Sequence, residues 1–384
     1  MDFTLTEEQK MIQKTARDFA RNELMPLAAQ IDKEDKVPPG IRKRMADLGF
    51  FGVGIPKEYG GVGGDYLSRS IVAEELCYAS AGTGLIILAS TGLALGPILK
   101  FGTEEQKKRY VPALAKGEKL AAFVETEPDV GSNPAEVRTT AIKDGDEYII
   151  NGNKVFITNG DEASVFTVLA TTDRSLGARG LCMFIVEKGT PGLSIGPELQ
   201  KLGIHGSTQT DVYFNDCRVP AANIIEKEGM GLKVAFGAID SSRIEVAAQA
   251  IGIAQAAFDA AFDYAEQRMQ FARPIIKFQA IQWMLVDMLN AIEAARLLTH
   301  KAACLEDQKK PFFMEAARAK LMASEMSHMV THKAIQIFGG NGYCTEYPVE
   351  RFMRDARITE IYEGTSEMQR LTLIRNMIDA RGKK

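Results

Sequence analysis

The sequence predicts an α+β protein in three parts: an N-terminal α-helical domain over residues 1–119, a central β-barrel domain over 120–226, and a C-terminal four-helix bundle over 227–384. Three observations predict it. Apolar residues recur at helical spacing from a capping box at Thr6 onward; the period then shortens to strands after Lys119; and an alanine-rich helical stripe takes over from Ala247. At 384 residues the chain has core enough for two or three domains without disulfides.

In order, Thr6-Glu7-Glu8-Gln9 caps a helix whose apolar positions are Met11, Ile12, Ala16, Phe19, Ala20 and Leu24, with Pro26 expected to close it. Pro38-Pro39-Gly40 starts a second helix that runs to Leu48, and Gly52 to Asp65 reads as a structural loop. Helical patterns resume over Ser68–Tyr78, Gly82–Gly92 and Glu104–Leu114. Tyr148 to Ile157 predicts two strands around an Asn151-Gly152 hairpin turn, and Val165–Ala170, Leu181–Glu187 and Asp211–Phe214 predict further strands. Ala247 to Ala265, Phe278 to Cys304, Phe312 to Phe338 and Thr365 to Ala380 predict the four bundle helices.

A net charge of −4 with interspersed signs argues against a nucleic-acid partner. The five cysteines, scattered and without CxxC spacing, suit free thiols in a reducing compartment. The acidic start lacks an apolar signal region, and glycines and Pro97 break the most apolar stretch, Thr83 to Leu99; no membrane span and a cytoplasmic location are expected. His328 and His332 share a helix face without an HExxH frame, and neither a GxSxG elbow nor a P-loop is present.

Four stretches carry more polar and glycine content than packing requires. Phe123 to Ser132 (FVETEPDVGS) is either a ligand-lining segment or an acidic surface turn. Gln336 to Gly342 ends a long helix with three glycines where a C-cap needs one. Arg268 to Gln279 is a basic, aromatic link in which Arg268 can meet a phosphate or an interhelical carboxylate. In Arg354 to Arg370 (RDARITEIYEGTSEMQR), Thr365 or Ser366 can cap the last helix, which leaves Glu363 on the preceding turn as a general base or as a helix-start acid.

Together these stretches resemble the acyl-CoA dehydrogenase family. TEPDVGS (126–132) is similar to its first flavin motif, FITNG (156–160) to its WITNG strand, QIFGGNGY (336–343) to its second flavin motif, and IYEGTSEMQR (361–370) to its catalytic signature. The resemblance spans the chain and implies FAD as cofactor and an acyl-CoA substrate. It further implies electron-transferring flavoprotein as acceptor and a homotetramer. It makes Glu363 the base for the α-proton, because Ser242 stands where some members place the glutamate instead. Phe123, Glu125, Thr126, Gly131, Ser132, Phe156, Thr158, Arg268, Phe271, Gln279, Gln336, Gly339, Gly340, Thr365 and Glu367 match cofactor contacts. Ser132, Thr91, Asp240, Arg243 and Gly364 match substrate contacts. Glu125, Phe156, His205 and Ala272 depart from the usual small apolar residue, Trp, Arg and Gly. Small residues at Ser90, Thr91, Gly92 and Ala94 imply a wide acyl pocket that suits a branched or alicyclic group; cyclohexane-1-carbonyl-CoA or butyryl-CoA is the expected substrate. A flavin oxidase and an inert CoA-binding scaffold are the competing expectations.

Overall fold

A computed structural model describes residues 4–382. The first third is helical: α1 (Glu7–Phe19), α2 (Ala28–Glu34), α3 (Pro39–Asp47), α4 (Tyr66–Ala79), α5 (Ala81–Ile87), α6 (Gly96–Phe101) and α7 (Glu104–Ala115). The Thr6 capping box forms as expected, with Gln9 answering the cap from the third helical position. Pro26 does not stop the chain. It falls in the first turn of a 3₁₀ segment, where its missing N–H costs nothing, and the helical path continues into α2. Phe19, Leu24, Met45, Phe51 and Leu76 form this domain's core.

The central domain is an eight-stranded sheet: β1 (Ala121–Val124), β2 (Thr140–Asp144), β3 (Glu147–Thr158), β4 (Val165–Thr171), β5 (Leu181–Glu187), β6 (Leu193–Glu198), β7 (Gln209–Pro220) and β8 (Ile224–Ile225). Its order is β6-β7-β3-β2-β4-β5-β8, with β1 parallel to β4. The expected barrel does not close, because β2 and β4 share only the Thr140–Thr171 pair and β6 and β8 remain edges. The Asn151-Gly152 hairpin is also absent, since β3 runs straight through with a register shift there. Gly152 serves close approach instead: a Cβ on it would meet Thr139 Oγ1 at 2.3 Å. The turn between β2 and β3 is at Gly145, at φ 61°.

The last third contains α8 (Gly231–Gln267), the β9–β10 hairpin (Met269–Gln270 and Arg273–Pro274), α9 (Gln279–Asp307), α10 (Phe313–Phe338), α11 (Val349–Ile358) and α12 (Ser366–Gly382). α8, α9 and α10 pack on one another, and α4 packs on α8 and α9; the alanines of α8 and α10 permit close approach. Among the described residues one helical stretch, Ala81–Phe101, is long and apolar enough to cross a membrane, but 83% of its most apolar window is buried inside the fold.

Candidate active site

The turn after α11 carries a Glu363-Gly364 pair with both residues in the left-handed region, φ 52° and 92°. A non-glycine residue there costs roughly 1–2 kcal/mol, so its surroundings must hold it. They do so through the backbone. Gln369 Nε2 donates to the carbonyls of Glu363 (3.2 Å) and Gly364 (2.9 Å), Lys320 Nζ donates to Gly364 O (2.7 Å), and Arg243 Nε reaches Glu363 O (3.4 Å). Thr365 Oγ1 accepts from Met368 N and caps α12, one of the two caps the sequence allowed.

These contacts present the half-buried Glu363 carboxylate to Ser242 of α8, whose Oγ donates to Oε2. Burial raises the Glu363 carboxyl to about 8; Glu245 adds to the rise, while Lys320 and Arg243 oppose it. Lys320 is itself buried, and burial lowers its ammonium to about 8. Arg243 is held by Asp240 at 2.7 Å. Beside the base, the Tyr362 hydroxyl donates to Gln249. A carboxyl protonated near neutrality, fixed on a rigid turn and facing its own hydrogen-bond donor, is suited to exchange a proton with a bound molecule.

The sheet domain contributes a second group around the end of β1. Lys154, fully buried, donates to Glu125 O at 2.8 Å and pairs with Glu127 at 2.9 Å. Glu127 in turn accepts from Thr139 N and Oγ1 and from Arg138 N. The Thr126 carbonyl receives Val155 N at 2.9 Å, so the 125–127 backbone is clamped to β3. Glu125 Oε1 is buried without a partner, and burial raises this carboxyl to about 7 against Lys154 and Arg243. Phe156, 64% exposed at φ 60°, and Thr158 follow on β3; Gly131 and Ser132 are exposed on the loop beyond β1, and Phe123 packs inward.

A third group lies elsewhere. Arg268, Phe271, Gln279, Gln336, Gly339 and Gly340 are all exposed at the end of the bundle where α8 and α10 stop and α9 starts. Tyr264 stacks on Phe338 at 4.0 Å and joins these helix ends. Ser242 and Arg268 are separated by about 39 Å along α8 at 1.5 Å per residue. One chain therefore brings the first two groups near each other through Arg243 and leaves the third apart. Phe271 and Ala272 both sit at positive φ in the hairpin, which explains why glycine would be the easier residue at 272.

Thr91 is buried and lines a narrow cavity with Arg69 and Glu245. Ser90 and Ala94 do not share it: Ser90 Oγ accepts from Ala121 N at 3.0 Å, and Ala94 packs in the core with Leu95 and Ile98. At Ala94 this helix is turned to the sheet, where it packs with Val165 and Leu169. His205 is bonded to the carbonyls of Asp32 (2.8 Å) and Lys201 (3.1 Å), a joint between the first two domains. Sequence reading missed Arg69, Lys154, Glu245, Lys320 and Gln369. The available signal was a charged residue inside an apolar run, as at Glu245 in IEVAAQ. Among the described residues no cluster suits a metal ion.

The family profiles for the acyl-CoA dehydrogenase N-terminal, middle and C-terminal domains match residues 6–118, 122–217 and 229–378. The chain belongs to the acyl-CoA dehydrogenase family. It is 49% identical to the short-chain-specific acyl-CoA dehydrogenase of Clostridium acetobutylicum, over 97% of this chain and 98% of that one. Among solved structures, butyryl-CoA dehydrogenase from Megasphaera elsdenii superposes with a TM-score of 0.96 at 44% identity, covering 98% of this chain and all of the other. A chain solved in work on the electron transferring flavoprotein of Acidaminococcus fermentans superposes at 0.97 with 46% identity, covering 98% and 99%. An acyl-CoA dehydrogenase is an oxidoreductase and an FAD flavoprotein, and the residues here fit a flavin. Val155, next to the exposed Phe156 ring, is bonded to the Thr126 carbonyl, and the neighbouring Glu125 keeps a buried oxygen without a partner.

Proposed function

We propose that this acyl-CoA dehydrogenase oxidises a short-chain acyl-CoA thioester to its 2-enoyl-CoA, with Glu363 taking the α-proton. FAD, when bound, supplies the acceptor for the hydride that leaves the β-carbon. The observation that carries the reading is the Glu363 carboxylate, fixed by its left-handed turn and held by Ser242 in a poorly solvated setting. Phe156, Thr126, Thr158, Gly131 and Ser132 would hold the flavin on the sheet side, with Phe123 and Glu125 behind them and Thr365 and Glu367 on the turn side. Asp240, Arg243, Gly364, Ser132 and Thr91 would line the thioester's path. Arg268, Phe271, Gln279, Gln336, Gly339 and Gly340 are too far along α8 to join that site within one chain. A second subunit would have to supply them, which supports a homotetramer; the 88% exposed Phe271 ring is a natural contact for it. The expected electron acceptor is electron-transferring flavoprotein.

The substrate test is anaerobic titration of the purified yellow protein with butyryl-, isovaleryl- and cyclohexane-1-carbonyl-CoA. Loss of the flavin colour with butyryl-CoA supports the reading. A colourless protein, or a yellow one that none of the three bleaches, overturns it. Peroxide formed in air without another acceptor would identify an oxidase.

The raised carboxyl fixes the pH dependence. Only the carboxylate can accept a proton, and Glu363 stays protonated up to about 8. We therefore expect kcat/KM to fall as pH drops through about 8, roughly tenfold for each further pH unit, in a profile measured with butyryl-CoA and an artificial acceptor. A profile level down to the ordinary carboxylate range would show that the base is not desolvated.

A further inference from the structure

We infer that the Arg69–Glu245 ion pair is the floor of the acyl pocket and sets the longest chain the enzyme accepts. The inference rests on the reading of Glu363 as the base and extends it to a specificity device. Arg69 Nε of α4 meets Glu245 Oε1 of α8 at 2.7 Å, and both side chains are buried, 8% and 5% exposed. The narrow cavity they bound also has Thr91, Val72, Ala73 and Leu88 in its walls. Glu245 follows Ser242 by three residues on α8, so the two side chains share a face with their Cβ atoms about 5–6 Å apart. Ser242 holds the Glu363 carboxylate, and Glu245 is the charged neighbour that adds most to the rise of that carboxyl. A thioester with its α-carbon at Glu363 would therefore run its acyl tail along α8 and reach the pair after a few carbons.

Two features make the floor stiff and deliberate. Gly92 lies directly against it: a Cβ there would sit 1.9 Å from Glu245 Oε2, so only glycine lets the carboxylate occupy this place. Behind it, Lys100 pairs with Glu306 at 2.8 Å, and the Tyr66 ring lies between the two cations, 5.6 Å from Arg69 and 5.3 Å from Lys100. A buried pair is commonly no more stabilising than apolar side chains of the same volume, so folding alone does not call for one here. Its charges cancel, so it offers no net attraction to an acidic tail. A longer apolar tail would have to occupy the volume that these two side chains fill.

The test compares kcat/KM for octanoyl-CoA with that for butyryl-CoA in flavin-loaded protein. In the double variant Arg69→Ala with Glu245→Ala, the octanoyl to butyryl ratio should rise at least about tenfold, the scale on which pocket depth discriminates chain length. In Arg69→Met with Glu245→Met, which keeps the volume and removes the charges, the ratio should stay within about threefold of the parent. A flavin-loaded alanine variant with an unchanged ratio overturns the inference, as does a methionine variant whose ratio rises as far as the alanine one. Should the alanine variant fail to take up flavin, the milder Arg69→Leu with Glu245→Val carries the same test, with a rise of about threefold expected and none overturning the inference. Failure of the parent to bleach with any acyl-CoA would instead remove the underlying reading, so the two failures are distinct.

Discussion

Glu363→Gln is expected to lose at least ~100-fold in dehydrogenation while retaining flavin, the low end of what a positioned general base contributes. The amide keeps the shape of the side chain and can still meet Ser242, so the turn should survive. Its left-handed geometry is maintained by bonds to the backbone carbonyls from Gln369, Lys320 and Arg243, none of which depends on the carboxylate. What disappears is the proton acceptor. The two carboxylates flanking Ser242 on α8 are both engaged, Asp240 by Arg243 at 2.7 Å and Glu245 by Arg69 at 2.7 Å. Steady-state turnover with butyryl-CoA, beside the flavin absorbance of the same preparation, measures the effect. Near-parental turnover would remove Glu363 from its role.

Lys154→Met is expected to be the most damaging single change away from the base, at about 3–5 kcal/mol of stability, the range for removing one partner of a buried ion pair. Lys154 is fully buried and answers both Glu127 Oε1 and the Glu125 carbonyl. Burial alone would push the Glu127 carboxyl up, but Lys154 and the donors on Thr139 and Arg138 hold it below the usual carboxylate range. With the ammonium gone, part of that support goes and Glu127 must protonate or remain buried and poorly compensated. Because this clamp fixes the backbone on either side of Thr126, flavin affinity should fall together with stability. Denaturant unfolding and flavin retention on gel filtration measure the two effects. Parental values in both would show that the clamp is dispensable.

Much of the fold was legible because local signals agreed with the tertiary outcome. The Thr6 box, the Pro39 start of α3 and the strand Leu181–Glu187 all appear where the pattern placed them. The failures share a cause. Asn151-Gly152 carries a hairpin signal, yet the glycine is needed because Thr139 lies against it across the β2–β3 hairpin, whose turn is at Gly145. Pro26 reads as a stop, yet the chain admits it at the start of a new helical segment. Barrel closure depended on whether β2 and β4 pair along their length, and strand spacing does not carry that information.

The site divides the same way. Glu363, Gly364 and Thr365 were legible as a short motif with turn and cap chemistry. The supports Lys320 and Gln369, and the donor role of Ser242, were not, because each lies on a helix and reaches the turn only through packing. The stretch 90–94 divides likewise: Thr91 faces the cavity and Ala94 the sheet, a difference set by packing and not by helical spacing alone.

Proton exchange tests the central claim most directly. Anaerobic incubation with butyryl-CoA in D₂O, without an electron acceptor, should place deuterium on the α-carbon of the recovered thioester when the parent enzyme is used, and none above background with Glu363→Gln. Equal exchange by both proteins would contradict the assignment of the base.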